Sequence, residues 1–216
     1  SVEVIVPHFL LHTFKEVFLA NDYFKGLPKR VSHPKEIRTI FDVGANVGFF
    51  SLFCANTYSS SRIYAFEPIR KNFELLKEQV SHNNVSNITP LQCALSDTIG
   101  EISLFLNDSD PYTTSASVNK NRHGNDLVTV EVLSVEKFMR DHSLQSIDLL
   151  KLDCEGAEFQ ILYSLPLEIL NNIKIIVMEI HGVEEQIVQL IDFLKKHNFE
   201  TIRKHRSNFV WSYKNK

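Results

Sequence analysis

Thr39-Ile40-Phe41-Asp42-Val43-Gly44-Ala45-Asn46-Val47-Gly48-Phe49-Phe50 decides how this chain folds. A short apolar run closes on an acid, two glycines bracket an asparagine, and an apolar pattern at helical spacing follows. That order predicts a buried strand, a tight turn and the start of a helix. Glycines at 44 and 48 let backbone approach a ligand with no Cβ in the way. The unpaired N–H groups that open a helix favour an anionic group in the turn. The ligand therefore carries a carboxylate or a phosphate.

What the turn lacks narrows the ligand. A dinucleotide fingerprint reads G-x-G-x-x-G. Here Asn46 stands where the second glycine would be, and Asp42 precedes the turn. A carboxylate at that place repels a pyrophosphate and suits a cationic amino group. S-adenosylmethionine (SAM) carries both an α-ammonium and an α-carboxylate. An NAD-dependent dehydrogenase fails on Asn46 and Asp42.

The elements around this stretch follow in order. Residues 1–36 read as an N-terminal cap, with Leu10, Phe14, Val17 and Phe18 on one face of a helix from His8 to Ala20, and 37–216 as the main domain. Strands are expected at Arg62 to Phe66 and Ile88 to Ala94, with Pro68 at the first position of an intervening helix. Glu101 to Leu106 and Leu127 to Val132 read as two more strands. Ser134 caps a short helix. Ile147 to Leu152 and the apolar run Ile173 to Ile180 read as inner strands of a parallel sheet, each followed by a helix. A hairpin, Phe199 to Lys204 and Phe209 to Tyr213, closes the chain. The polar stretch Asn107 to Asp126, dense in hydroxyls, is expected to close over a polar substrate.

In an open α/β sheet, ligands sit beyond the carboxyl ends of the strands. Asp42, Glu67, Asp97 and Asp153 each fall at or just past such an end, and without a cationic or hydroxyl-rich ligand they would repel one another. Glu67 is placed to accept ribose hydroxyls, and Asp97, with Ser96 before it, to accept the adenine amino group. Asp153, Glu155, Glu179 and His181 converge past the fourth and fifth strands, where a second substrate would sit. His181 is the first choice of base, since an unperturbed imidazole titrates near working pH. Glu155 and Glu158 alternatively serve the first turn of the helix that follows. Asp153 with Glu179 is a candidate for a divalent ion that lacks a clear third ligand. Cys154, among acids, reads as a small structural residue, and Asp110-Pro111-Tyr112 as a turn.

Four segments carry a resemblance. Asp42-Val-Gly-Ala-Asn-Val-Gly48, Phe66-Glu67-Pro68, Ala94-Leu-Ser-Asp97 and Lys151-Leu-Asp-Cys-Glu-Gly-Ala-Glu158 resemble the successive motifs of the FkbM family of SAM-dependent methyltransferases. The resemblance implies a Rossmann-like α/β fold with a seven-stranded sheet whose last strand is antiparallel. It also implies O-methylation of small-molecule hydroxyls, on sugars and polyketides, with SAM as cofactor. On that basis Gly44, Asn46, Gly48, Glu67, Pro68, Ser96, Asp97, Asp42 and Asp153 are expected to bind the cofactor. His181, Asp153 and Glu155 are expected to serve the reaction.

Composition bounds the rest. The chain has 216 residues, 44% of them hydrophobic, and a net charge of −3, which argues against a nucleic-acid partner held by general electrostatics. Three cysteines with no C-x-x-C point to a reducing, cytoplasmic setting. No stretch reads as a signal peptide or as long enough to span a bilayer, so no membrane partner is expected. Opening at Ser1 without a methionine, the sequence reads as trimmed or cut from a longer protein, and a homodimer is compatible with it. The rival from another class is a non-catalytic SAM- or nucleotide-binding module, which could dispense with the acids at the acceptor position.

Overall fold

Five consecutive buried residues make strand β1 (Thr39–Val43), and a strand covered on both faces belongs in the middle of a sheet. β1 pairs in parallel with β2 (Arg62–Phe66), which pairs in parallel with β3 (Ile88–Leu91). The computed structural model describes residues 2–29, 31, 37–106, 112, 126–204 and 207–214. β3 stops three residues short of the expected end. Pro90 removes a ladder donor and suits this outermost strand. Ala94 to Ser96 forms a separate strand, β4, in a three-stranded sheet with β5 (Gly100–Leu106) and β6 (Asp126–Ser134), in the order β4-β6-β5.

The main sheet continues with β7 (Ile147–Leu152), β8 (Ile173–Glu179), β9 (Phe199–Arg203) and β10 (Phe209–Lys214). Its order is β3-β2-β1-β7-β8-β10-β9, with β10 antiparallel to both neighbours. This is the expected seven-stranded sheet with a reversed last strand. The order reverses between β1 and β7, where the crevice for a ligand opens.

Strand alternation divides two cores. Ile40, Leu149 and Ile175 face one side with helices α1 (Leu11–Phe18), α2 (Phe49–Thr57) and α3 (Arg70–His82). Phe41, Leu150 and Ile176 face the other with α4 (Val135–Asp141), α5 (Glu158–Ser164), α6 (Leu167–Asn171) and α7 (Glu184–Lys196). Ser134 caps α4 as expected, accepting the Lys137 N–H at 3.1 Å. α3 begins at Arg70, so Pro68 is not its first residue. The Glu67 carboxylate captures the Ile69 N–H at 2.9 Å and delays the helix.

The N-terminal segment shares the core. The Trp211 indole N–H donates to the carbonyls of Asp22 and Tyr23. A Cβ on Gly26 would lie 2.1 Å from the Trp211 ring, so the chain passes that ring only as glycine. The segment expected to close over the substrate lies outside the described residues, apart from Tyr112 and the β6 backbone at Asp126. The Tyr112 ring sits 5.0 Å from the Lys71 ammonium.

Candidate active site

A cavity of about 730 Å³ opens above the carboxyl ends of β1, β2 and β7, a size usual for a small-molecule site. α1 and the turn after it form one wall through His12, Glu16, Val17 and Tyr23. A shallower recess of about 530 Å³ adjoins it, sharing Asp97, Gly156, Gln160 and His181.

At the cofactor end, the β1–α2 turn is built by left-handed residues. Gly44, Asn46 and Gly48 have φ of 74°, 51° and 89°, a region open to glycine and tolerated by asparagine. The glycines serve packing more than ligand approach. A Cβ on Gly44 would lie 1.8 Å from the Asp153 carbonyl oxygen, and one on Gly48 would lie 2.4 Å from Leu76 Cδ1. Asn46 Oδ1 accepts the Val47 N–H at 2.7 Å, holding the turn closed. Glu67 lies across from it, accepting the Asn46 N–H at 2.8 Å as well as that of Ile69. Burial pushes the Glu67 carboxyl up to about 7, against the two N–H groups that pull it down. Pro68, Ser96 and Asp97 line the cavity beside it, and the Ser96 hydroxyl donates to Asp97 at 3.0 Å.

Asp42 is placed differently from the sequence expectation. It is fully buried beneath the turn and does not line the cavity. Ser51 donates to it at 2.6 Å, and Lys151 Nζ lies 3.2 Å away. Lys151 is the residue that sequence reasoning passed over. Its ammonium, 3% exposed, donates to the Gly44 carbonyl at 2.6 Å and stands 3.6 Å from Asp153. Burial disfavours that charge, but Asp42 and Asp153 outweigh burial and raise its pKa. The signal was available: a lysine inside the apolar run Ile147 to Leu152 needs a carboxylate partner.

At the other end stand Asp153, Glu155, Glu179 and His181, brought together from β7, β8 and the residues after them. Tyr23 donates its hydroxyl to Asp153 at 2.7 Å across 130 positions of sequence. Burial, then Asp153, pushes the Tyr23 phenol well above its ordinary value, so it stays a donor. Glu158, fully buried, accepts the N–H groups of Cys154 and Gly156 at 3.0 Å each and lies 3.1 Å from His181 Nδ1. It thus ties down the loop after β7 and orients the imidazole. His181 Nε2 is 3.8 Å from Glu155. Burial works against the imidazolium, yet Glu158 and Glu155 raise His181 to about 9. Burial and then Asp153 raise Glu179 to about 7.

Glu16, Glu67, Asp153, Glu155 and Glu179 thus share one cavity with Lys151 and His181. That field suits a cationic group on a ligand. The arrangement can bind a molecule with a hydroxyl-rich middle at the Glu67 end, and can handle a proton at the His181 end.

The model of the Methyltransferase FkbM domain matches residues 42–201. The chain is 29% identical over 210 residues to methyltransferase sdnD of Sordaria araneosa, covering 83% of this chain and 79% of that protein. It is 23% identical over 219 residues to 31-O-demethyl-FK506 methyltransferase FkbM of Streptomyces tacrolimicus, covering 88% of this chain and 81% of that one. Among solved structures, methyltransferase FkbM from Methylobacillus flagellatus superposes with a TM-score of 0.58 at 14% identity. That match covers 82% of this chain but only 44% of the other, and it speaks to the fold.

Proposed function

Because this chain belongs to the FkbM family of SAM-dependent methyltransferases, we propose that it transfers the methyl group of SAM to a hydroxyl of a small polar acceptor, of sugar or polyketide type. The observation that carries the reading is one cavity with two chemically distinct ends. The left-handed turn and Glu67 suit an amino-acid head and a ribose, while Asp153, Glu155 and His181 suit an acceptor oxygen. The relative from Streptomyces tacrolimicus acts, by its name, at an oxygen, which supports the choice of a hydroxyl.

SAM supplies an activated methyl group, and the chain's residues do the rest. Glu67 accepts the ribose hydroxyls with the lone pairs that Asn46 and Ile69 leave free. Ser96 and Asp97 border the adenine. Asp42 works from beneath, holding Lys151 and through it the carbonyl of Gly44. α1 and Tyr23 keep water from the reacting oxygen. A neutral hydroxyl is a poor nucleophile, and the proton it must lose is received by Asp153 or Glu155, because His181, raised to about 9, already carries its proton at neutral pH. Holding the acceptor in line with the methyl accounts for much of the rate.

Isothermal titration of the full chain with SAM, S-adenosylhomocysteine and NAD tests the reading. SAM and S-adenosylhomocysteine bind, and NAD does not. Binding of NAD alone, or of none of the three, would overturn it. Transfer of labelled methyl from SAM to polyhydroxylated acceptors then separates an enzyme from a non-catalytic binding module.

A further inference from the structure

Three ligating atoms meet at the acceptor end of the cavity, one each from Asp153, Glu179 and His181, all within 4.8 Å of one another. We propose that these three residues bind a divalent cation there, and that the cation holds the acceptor hydroxyl. The role assigned to the ion rests on the methyltransferase reading above; the binding itself does not.

The frame that holds the donors is rigid. Glu179 ends β8 and Asp153 directly follows β7, and these two strands are hydrogen-bonded neighbours through Leu152 and Met178. His181 lies two residues past Glu179. A cationic sulfonium accounts for the two carboxylates, but gives no reason for an imidazole beside them. A metal ion uses all three.

Two observations outside the spacing support the same assignment. Glu158 is fully buried, and its carboxylate lies 3.1 Å from His181 Nδ1. A carboxylate on the far ring nitrogen is what a metal-ligating histidine characteristically has, because it fixes the ring and leaves the near nitrogen free to bind. Glu179 lines the cavity with no hydrogen bond to its carboxylate among the described residues, unlike Asp153, which accepts one from Tyr23. A half-buried carboxylate with no donor of its own is short of a cation.

The donor set selects the ion. Two carboxylates and one imidazole, with no thiolate, suit a hard to borderline divalent cation such as Mg²⁺ or Mn²⁺. Three protein ligands leave further positions for water and an acceptor oxygen, the pattern of a reactive site as opposed to a closed structural one. On this assignment His181 is a ligand and not the base. The acceptor oxygen gains the methyl carbon as the carbon–sulfur bond breaks, its electron pair staying on sulfur. The hydroxyl proton, made acidic by the ion, passes to Glu155, whose Oε1 lies 3.8 Å from His181 Nε2.

The test uses the full chain, stripped with chelator and titrated with MnCl₂, with and without saturating S-adenosylhomocysteine. Electron paramagnetic resonance reads the loss of the free Mn²⁺ signal. One Mn²⁺ binds per chain. Glu179→Gln and His181→Asn each weaken it about tenfold or more, a scale at which disturbing a metal site usually shows. Glu168→Gln, on an exposed turn of α6, leaves it unchanged. Calorimetry with S-adenosylhomocysteine on each variant reports an intact fold. No saturable uptake, or uptake indifferent to the first two variants, overturns the cation site. Binding of S-adenosylhomocysteine without Mn²⁺ uptake would leave the methyltransferase reading standing. Mn²⁺ uptake without binding of S-adenosylhomocysteine would do the reverse.

Discussion

Replacing Lys151 with methionine should unbalance the molecule at its centre. Methionine fills the same space as the lysine stem, so the change is one of charge more than of volume. In the parent, Lys151 Nζ lies 3.2 Å from Asp42 and 2.6 Å from the Gly44 carbonyl, and it is 3% exposed. Without it, the Asp42 carboxylate keeps, among the described residues, only the Ser51 hydroxyl, inside a site with no access to water. Removing one partner of a buried ion pair costs about 3–5 kcal/mol, because a lone charge is left behind. For a chain of this size each kcal/mol lowers the midpoint by about 2–4 °C, so the expected drop is about 6–20 °C. Urea unfolding of the ligand-free protein, followed by circular dichroism, measures the loss without mixing in cofactor affinity. The double variant Lys151→Met, Asp42→Asn removes the orphaned charge and should recover a large part of it. A single variant within about 1 kcal/mol of the parent, or a double variant no more stable than the single, would show that Lys151 and Asp42 are not coupled in this way.

Glu67→Ala should weaken SAM binding by about 1–3 kcal/mol by calorimetry, since the ribose hydroxyls lose their acceptor; undiminished affinity would move the ribose elsewhere. Burial holds the Glu67 carboxyl near a pKa of about 7 in the free protein, and only its ionised form accepts two hydroxyls, so SAM affinity should rise as pH is raised from below that value to above it. Glu67→Gln should flatten this profile, and a parent profile already flat would contradict the assignment. Gly44→Ala forces a Cβ to 1.8 Å from the Asp153 carbonyl at a φ of 74°, and strain of that kind costs at least about 1–3 kcal/mol; thermal unfolding unchanged from the parent would mean the turn relaxes freely. Tyr23→Phe removes a hydroxyl donor to Asp153 and should lower stability by about 0.5–1.5 kcal/mol, with a neutral result in urea unfolding placing the tyrosine's value in its ring contacts alone.

Much of this protein was legible in the order of its residues. The strand–turn–helix from Thr39 to Phe50, the inner strands at 147–152 and 173–179, and the closing hairpin follow from apolar periodicity and glycine placement, which act over a few residues at a time. Asp42, Glu67 and Asp153 fall on the side where the cavity opens because a strand end is a local event and the main sheet gathers such ends at one edge, whereas Asp97 arrives there from β4 of the smaller sheet. The third strand was read too long because the run Ile88 to Ala94 covers β3 and then enters the first residue of β4, a strand of the other sheet, and nothing local marks where a chain changes partners. Charge partnership was equally hidden. Asp42 looked free to meet a ligand because its counter-ion stands 109 positions away at Lys151, on the strand paired beside it. Tyr23 reached Asp153, and Glu158 reached His181, only once the sheet had set their elements side by side. The kinds of group a site needs are written in sequence; which of them neutralises, orients or exposes another is decided by distances of a few ångströms between residues far apart in the chain, and those exist only in the folded molecule.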